Sequence, residues 1–258
     1  VYLLDWGDVT EDVELQNMDD IVEERLCAAG RNLLSLIGDA GETANLTGLG
    51  YCMGGTLLAA AAAIAPEIWG RLVFLASPWD FHAGDAVLQT HICSSAPLAL
   101  DMIETKGILP MEWIQTVFAA VNGDRGREKF VKFAKMDADS PDARLFVAVE
   151  DWLNDGMALP GEVAQQCIQG WYRDNKPGRG QWYINGKNVD PSGIQIRSLV
   201  VTSPNDRLVP EDSALDLAGK LPHADVLSVS SGHIGMMTSH KAQSDMWAPL
   251  HEWILRCL

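Results

Sequence analysis

Three short segments of this 258-residue chain carry side chains that could serve together as a nucleophile, an acid and a base. The first is Gly50-Tyr51-Cys52-Met53-Gly54-Gly55, which follows a short apolar run and leads into an alanine-rich one. A strand that turns sharply into a helix exposes the residue at its apex and requires small residues two positions to either side. Gly50 and Gly54 meet that requirement. Cys52 would then stand at a helix N-terminus, where the dipole and unpaired N–H groups favour a thiolate. The second segment, Ser203-Pro204-Asn205-Asp206-Arg207-Leu208-Val209-Pro210, places an acid just beyond an apolar run. The third, Ser231-Gly232-His233, does the same for an imidazole, with Gly232 permitting a tight turn. An inert cysteine, a turn aspartate and a loop histidine are each ordinary features. Their succession as nucleophile, acid and base is not. A thiolate with an imidazole is a nucleophilic catalyst for acyl transfer, and the acid can orient the imidazole. The backbone N–H of Met53, next after the nucleophile, is expected to be one oxyanion donor.

These groups need elements that end at one place. Val1–Trp6, Asn45–Tyr51, Arg71–Ser77, Ser198–Ser203 and Asp225–Ser231 are short apolar runs that read as strands. Helical spacing marks Met18–Ile37, Thr56–Ala65, a stretch around Asp212–Lys220 and a final helix from about His240 to Cys257. Short apolar strands alternating with helices predict a mostly parallel sheet covered on both faces. The middle breaks this rhythm: Met111–Val121, Arg125–Met136, Ala143–Leu153 and Glu162–Tyr172 look helical, with no strong strand between them. The expected organisation is therefore a first part of an α/β core (residues 1–81), a helical cap insertion (82–196), and a second part of the core with the acid and base (197–258). Ligands gather at the carboxyl ends of strands in such sheets. Nucleophile, acid, base is also the chain order of α/β-hydrolases, which makes that fold the expectation. A second oxyanion donor from the loop after the third strand would lie upstream of Val1. The chain begins at Val1 inside a strand-like run. It is therefore expected to lack the first strands, to aggregate or associate alone, and to release product slowly.

Composition narrows the functions. Lys+Arg number 19 against 35 Asp+Glu, a formal net charge of −16, which disfavours nucleic-acid binding and polybasic membrane attachment. The longest weakly polar run, Leu57–Pro66, is too short to span a bilayer, so no transmembrane segment is expected. The cysteines are Cys27, Cys52, Cys93, Cys167 and Cys257, with no Cys-x-x-Cys pair. That pattern suggests neither a disulfide framework nor a metal site, and fits a reducing, cytoplasmic setting. Arg125, Arg127, Lys129, Lys132 and Lys135 spread around a helix and read as a solvated face. Lys176, Arg179 and Lys187 form a looser set beside Trp171 and Trp182. Neither is assigned as a binding site. Most tryptophans read as packing, with Trp79 and Trp152 as candidates for an acyl tunnel.

The elbow GYCMGGTL at Gly50–Leu57, with Cys in place of Ser, resembles the lipase-like box of the polyhydroxyalkanoate (poly-3-hydroxybutyrate) synthases. So do VYLLDWG at Val1–Gly7, LVFLASPWDF at Leu72–Phe81, EDWLNDG at Glu150–Gly156 and SGHI at Ser231–Ile234. The resemblance implies an acyltransferase of the α/β-hydrolase superfamily that polymerises 3-hydroxyacyl-CoA into polyester and releases CoA. Cys52 would carry the growing chain as a thioester. His233 would deprotonate the thiol or the incoming hydroxyl, and Asp206 would orient His233 or help activate that hydroxyl. It further implies no cofactor beyond the coenzyme A thioester substrate, a homodimer or partner subunit, and work at a storage-granule surface in the cytoplasm. Two rival readings are a thiol-dependent thioesterase or polyester depolymerase of the same fold, and a non-catalytic fragment.

Overall fold

Leu72-Val73-Phe74-Leu75 contains no polar residue, and such a strand is stable only with both faces covered. In the computed structural model, which describes residues 1–7, 17–39, 45–85 and 87–256 without the side chains of 39, 122, 124 and 125, all four are fully buried. Cys257 and the Arg125 side chain lie outside the described residues. The run belongs to β2 (Trp69–Leu75), which pairs with β1 (Leu46–Tyr51) on one side. Between β2 and the next strand of this sheet come two antiparallel pairs, β3 (Ile108–Leu109) with β4 (Leu159–Pro160) and β5 (Tyr183–Ile184) with β6 (Lys187–Asn188). β7 (Ser198–Thr202) then joins the other side of β2, and β8 (Ala224–Ser228) pairs outside it. The sheet order is β1-β2-β7-β8, all parallel. Tyr51 lies opposite Leu75, Leu75 opposite Val201, and Thr202 opposite Ser228. The strands therefore end nearly in line, and the loops after β1, β7 and β8 leave from one edge.

The two-residue period of the strands divides the interior. Leu72, Phe74 and Val200 face one core, shared with Leu57, Leu58 and Ala59–Ala62 of α2 (Met53–Ile64). Val73, Leu75, Leu199 and Val201 face the other, closed by Met236, Met246 and Leu250 of the C-terminal helices. Before β1, residues Asp20–Cys27 are wound as a π-helix and run into α1 (Ala28–Asp39), the helix expected over Met18–Ile37.

Between β2 and β7 the chain forms α3 (Val87–Lys106), α4 (Met111–Asn122), α5 (Asp124–Phe133), α6 (Pro141–Asn154) and α7 (Gly161–Gln165), the last continuing as the π-wound Gln166–Arg173. A third core, including Leu88, Ile92, Ala99, Leu109, Trp113 and Val117, lies among them. Asn175 fastens the end of this segment to the loop after β2. Its Oδ1 accepts from Phe81 N–H at 3.0 Å and its Nδ2 donates to Asp80 Oδ1 at 2.7 Å. After β7 come α8 (Glu211–Lys220), the short α9 (Gly235–Thr238) and α10 (Ala248–Leu255).

Two sequence expectations are corrected. Val1–Trp6 is not a strand: it joins no sheet, and Val1, Tyr2 and Leu3 are exposed. An apolar run supplies the side chains of a strand but not the neighbouring backbone that must pair with it. Conversely, α3 is a 20-residue helix not foreseen from the sequence, with Pro97 inside it. Proline removes one donor from the ladder, but burial of Leu88, Ile92 and Ala99 holds the helix on both sides of it.

Candidate active site

Cys52 has φ 53° and ψ −125°, left-handed backbone that a side chain rarely adopts. Contacts on every side hold it there. Its N–H donates to Leu75 O at 2.8 Å, and its carbonyl accepts from Gly55 N–H at 3.0 Å. A Cβ at Gly50 would lie 2.5 Å from Gly55 Cα, and one at Gly55 would lie 1.7 Å from Ser77 Oγ. A Cβ at Gly54 would meet nothing within 4 Å outside its own helix. The residue that must be small after the apex is therefore Gly55, not Gly54, because α2 leaves the turn with Gly55 pressed on Gly50 and Ser77. Met53 opens α2, so its N–H is one of the donors that a helix start leaves without an intrahelical partner.

The loop after β7 carries Asp206 with its side chain buried. Asp206 Oδ1 accepts from Leu208 N–H at 2.8 Å and Val209 N–H at 2.9 Å, which aims Oδ2 away from its own loop. His233 Nδ1–H donates to that Oδ2 at 2.6 Å. Asn205 Nδ2 donates to Ser230 O at 2.9 Å, tying the two loops together beside the pair. Gly232 is not in the left-handed region. It provides clearance, since a Cβ there would lie 3.2 Å from Asn205 O.

His233 faces Cys52. Its burial acts to lower its pKa, but the Cys52 charge, the hydrogen bonds to Asp206 and Cys52 and the Asp206 charge outweigh it. Together they push the imidazole up to about 10. Tyr51, directly before Cys52, stacks on the His233 ring with centroids 4.8 Å apart. Burial pushes Cys27 up to about 11 and Cys167 to about 12, and raises Cys93, which keeps all three as thiols.

The poly(3-hydroxyalkanoate) polymerase subunit PhaC of Haloferax mediterranei is 26% identical over 256 residues, 98% of this chain. The PhaC subunits of Haloarcula marismortui and Synechocystis are 26% and 27% identical, again over 98% of the chain. The similarity to PhaC polymerase subunits thus runs along nearly the whole of this chain. It spans about half the length of the two haloarchaeal relatives, 51% and 53%, and 68% of the cyanobacterial one. No family model matches it. Among solved structures, BpoC of Mycobacterium tuberculosis, named for non-heme bromoperoxidase activity, superposes with TM-score 0.57 over 96% of this chain and 78% of its own, at 14% identity. The monoacylglycerol lipase of Paleococcus ferrophilus gives 0.51 over 92% and 76%, also at 14% identity. The fold is that of the α/β-hydrolases.

The remaining sequence candidates fall elsewhere. Trp79 is wholly buried and packs on Trp182 at 5.9 Å, while Trp152 is half exposed on α6. His240 precedes the last helices and pairs with Asp142 at 3.2 Å in the open. Lys129 is engaged by Glu150 at 2.7 Å. Among the described residues no group of three or more His, Cys, Asp or Glu side chains could hold a metal ion, and no helix is long and apolar enough to cross a membrane.

Two tyrosines lie at the site beyond the sequence candidates. One is Tyr51, inside the elbow segment. Its signal is strand alternation: Gly50 faces α2, so Tyr51 must face the opposite side of the sheet. Tyr172 lies in the helical segment with its phenol raised, first by burial and then by the Cys52 and Cys167 charges. Nothing local in the sequence marks it, because its neighbourhood with Cys52 is formed entirely by the return of the helical segment over the sheet.

Proposed function

We propose that this chain carries the acyl-transfer centre of a polyhydroxyalkanoate polymerase acting on 3-hydroxyacyl-CoA. The observation that carries the reading is a cysteine, not a serine, at a left-handed elbow apex, faced by a histidine that Asp206 holds. Similarity to PhaC subunits supplies the substrate class. The Cys52 sulfur, as thiolate, attacks the thioester carbonyl, and the developing oxyanion is met by Met53 N–H. The C–S bond to CoA breaks, and the His233 proton passes to the departing CoA sulfur. The now neutral His233 then accepts the proton of a 3-hydroxyl group. That oxygen attacks the Cys52 thioester, forming the ester bond and returning the sulfur as thiolate. Asp206 holds His233 through Nδ1, leaving Nε2 for both transfers. A thioester suits this cycle because it holds the acyl group yet remains open to an alcohol. Water must be excluded from it, and the helices between β2 and β7 serve as the cover. No metal or external cofactor enters these steps.

In the same reading the protein works in the cytoplasm at a granule surface, as a homodimer or with a partner subunit. The test is CoA release and product identity with 3-hydroxybutyryl-CoA. The native protein is expected to yield polyester. Cys52→Ala is expected to lose at least about 10³-fold in CoA release while remaining folded. Free 3-hydroxybutyrate as the sole product would replace the reading by a thioesterase. Undiminished turnover by Cys52→Ala would remove the nucleophile.

A further inference from the structure

Tyr51 is the last residue of β1, and its neighbour Gly50 faces α2. Alternation therefore sends Tyr51 to the other face of the sheet. There it packs against the core built by Val73, Leu75, Val201 and Met236. This is the face over which the loop after β8 folds. Two different parts of Tyr51 meet one residue of that loop. Its ring stacks on the His233 imidazole at 4.8 Å and 26° between planes. Its hydroxyl donates to the His233 backbone carbonyl at 3.1 Å.

We propose that Tyr51 is a positioning residue that sets the plane and height of the His233 ring so that Nε2 meets the Cys52 sulfur. The proposal rests on the reading of His233 as the proton carrier. Asp206 grips a single ring atom, Nδ1. That bond by itself fixes one point of the ring and would leave it free to swing about it. A stacked face removes that freedom, and an anchored carbonyl removes the motion of the backbone beneath. Because Tyr51 directly precedes Cys52, one strand end aims both partners of the proton transfer. An aromatic face against a protonated imidazole also favours the charged ring. The phenol is held well above its ordinary range, mainly by burial and then by the Cys52 and Asp206 charges, so it remains a donor throughout the working pH range.

Small displacements of a catalytic group act on rate more than on substrate binding. Tyr51→Phe keeps the stack and loses the hydrogen bond; Tyr51→Leu loses both. The expected result is a kcat loss of about threefold for Tyr51→Phe and about thirtyfold for Tyr51→Leu, with KM within about twofold of native. Leu227→Ala, in the same core and away from the ring contact, is the control for lost stability. If it lowers kcat as much as Tyr51→Leu at an equal fall in Tm, Tyr51 is packing only and the proposal fails. The ring is also followed directly by ¹⁵N NMR of the His233 imidazole. The expected shifts change slightly in Tyr51→Phe and strongly in Tyr51→Leu, and unchanged shifts in both variants would overturn the proposal whatever the reaction. His233→Ala is assayed alongside. Native turnover in that variant would sink the proton-carrier reading by itself, while the NMR result still decides whether Tyr51 places the ring.

Discussion

At the carboxyl edge of the sheet, each group that shapes the site is held from two or more directions. Cys52 is fixed by Leu75 O and by the contacts among Gly50, Gly55 and Ser77, and His233 by Asp206 and Tyr51. The helices α4–α6 are built differently. Phe118, Phe130, Val131, Leu145, Val147 and Trp152 are exposed there. In β2 and β7 every apolar side chain is buried, so position is over-determined. In α4–α6 many apolar side chains face outward, so little depends on the exact placement of one of them. A strained nucleophile turn needs the first kind of surroundings, since only over-determined structure holds a residue in a costly conformation.

The largest expected effect tests that contrast at two adjacent glycines. Gly55→Ala forces a Cβ onto Ser77 and should destabilise the protein by about 3 kcal/mol, read as a fall in the urea midpoint. Gly54→Ala, one residue away with open space, should be neutral or stabilising by about 0.5–1 kcal/mol, because alanine favours the helix. Equal costs at the two positions would show that the elbow is not held by the Gly50–Gly55–Ser77 contact.

An intermediate effect concerns pH. The His233 pKa is raised from 6.5 to about 10 in the folded protein. A raised pKa means that the folded state binds the proton more tightly. Its contribution to stability is therefore complete below about 6.5 and is lost progressively as pH rises through about 10. Urea unfolding measured from pH 6 to pH 10 should show stability falling, and His233→Gln should flatten that slope. An identical slope in the variant would mean that His233 does not hold its proton in the folded state.

The smallest effect lies in the helices. Val147→Lys, at a side chain 44% exposed, should change stability by no more than about 0.5 kcal/mol. A loss of several kcal/mol would show that α6 is pinned as the sheet is, and would erase the distinction between the two regions.

The sequence by itself determined whatever depends on near neighbours. β2 and β7 were legible because a continuous apolar run has few alternatives to burial in a sheet, and β1 and β8 because each is a short run set between helical stretches, with β1 leading into the elbow. The elbow was legible because a strained apex demands small residues within a few positions of it. Cys52, Asp206 and His233 could be named because each follows a strand, and parallel strands end at one edge. Tertiary structure alone decided the rest. Val1–Trp6 has strand composition but joins no sheet, since pairing is a property of two backbones and not of one. Helix α3 passes through Pro97 because side chains far along the chain bury its face. Gly55 rather than Gly54 is the crowded position because the direction of α2 chooses which glycine meets Ser77. Tyr51 reaches His233 across 182 residues of chain, and no local pattern records a contact formed only when two strand ends and a loop are brought together. The proton on His233 belongs to that same class: burial and the neighbouring charges set it, and both exist only once the chain has folded.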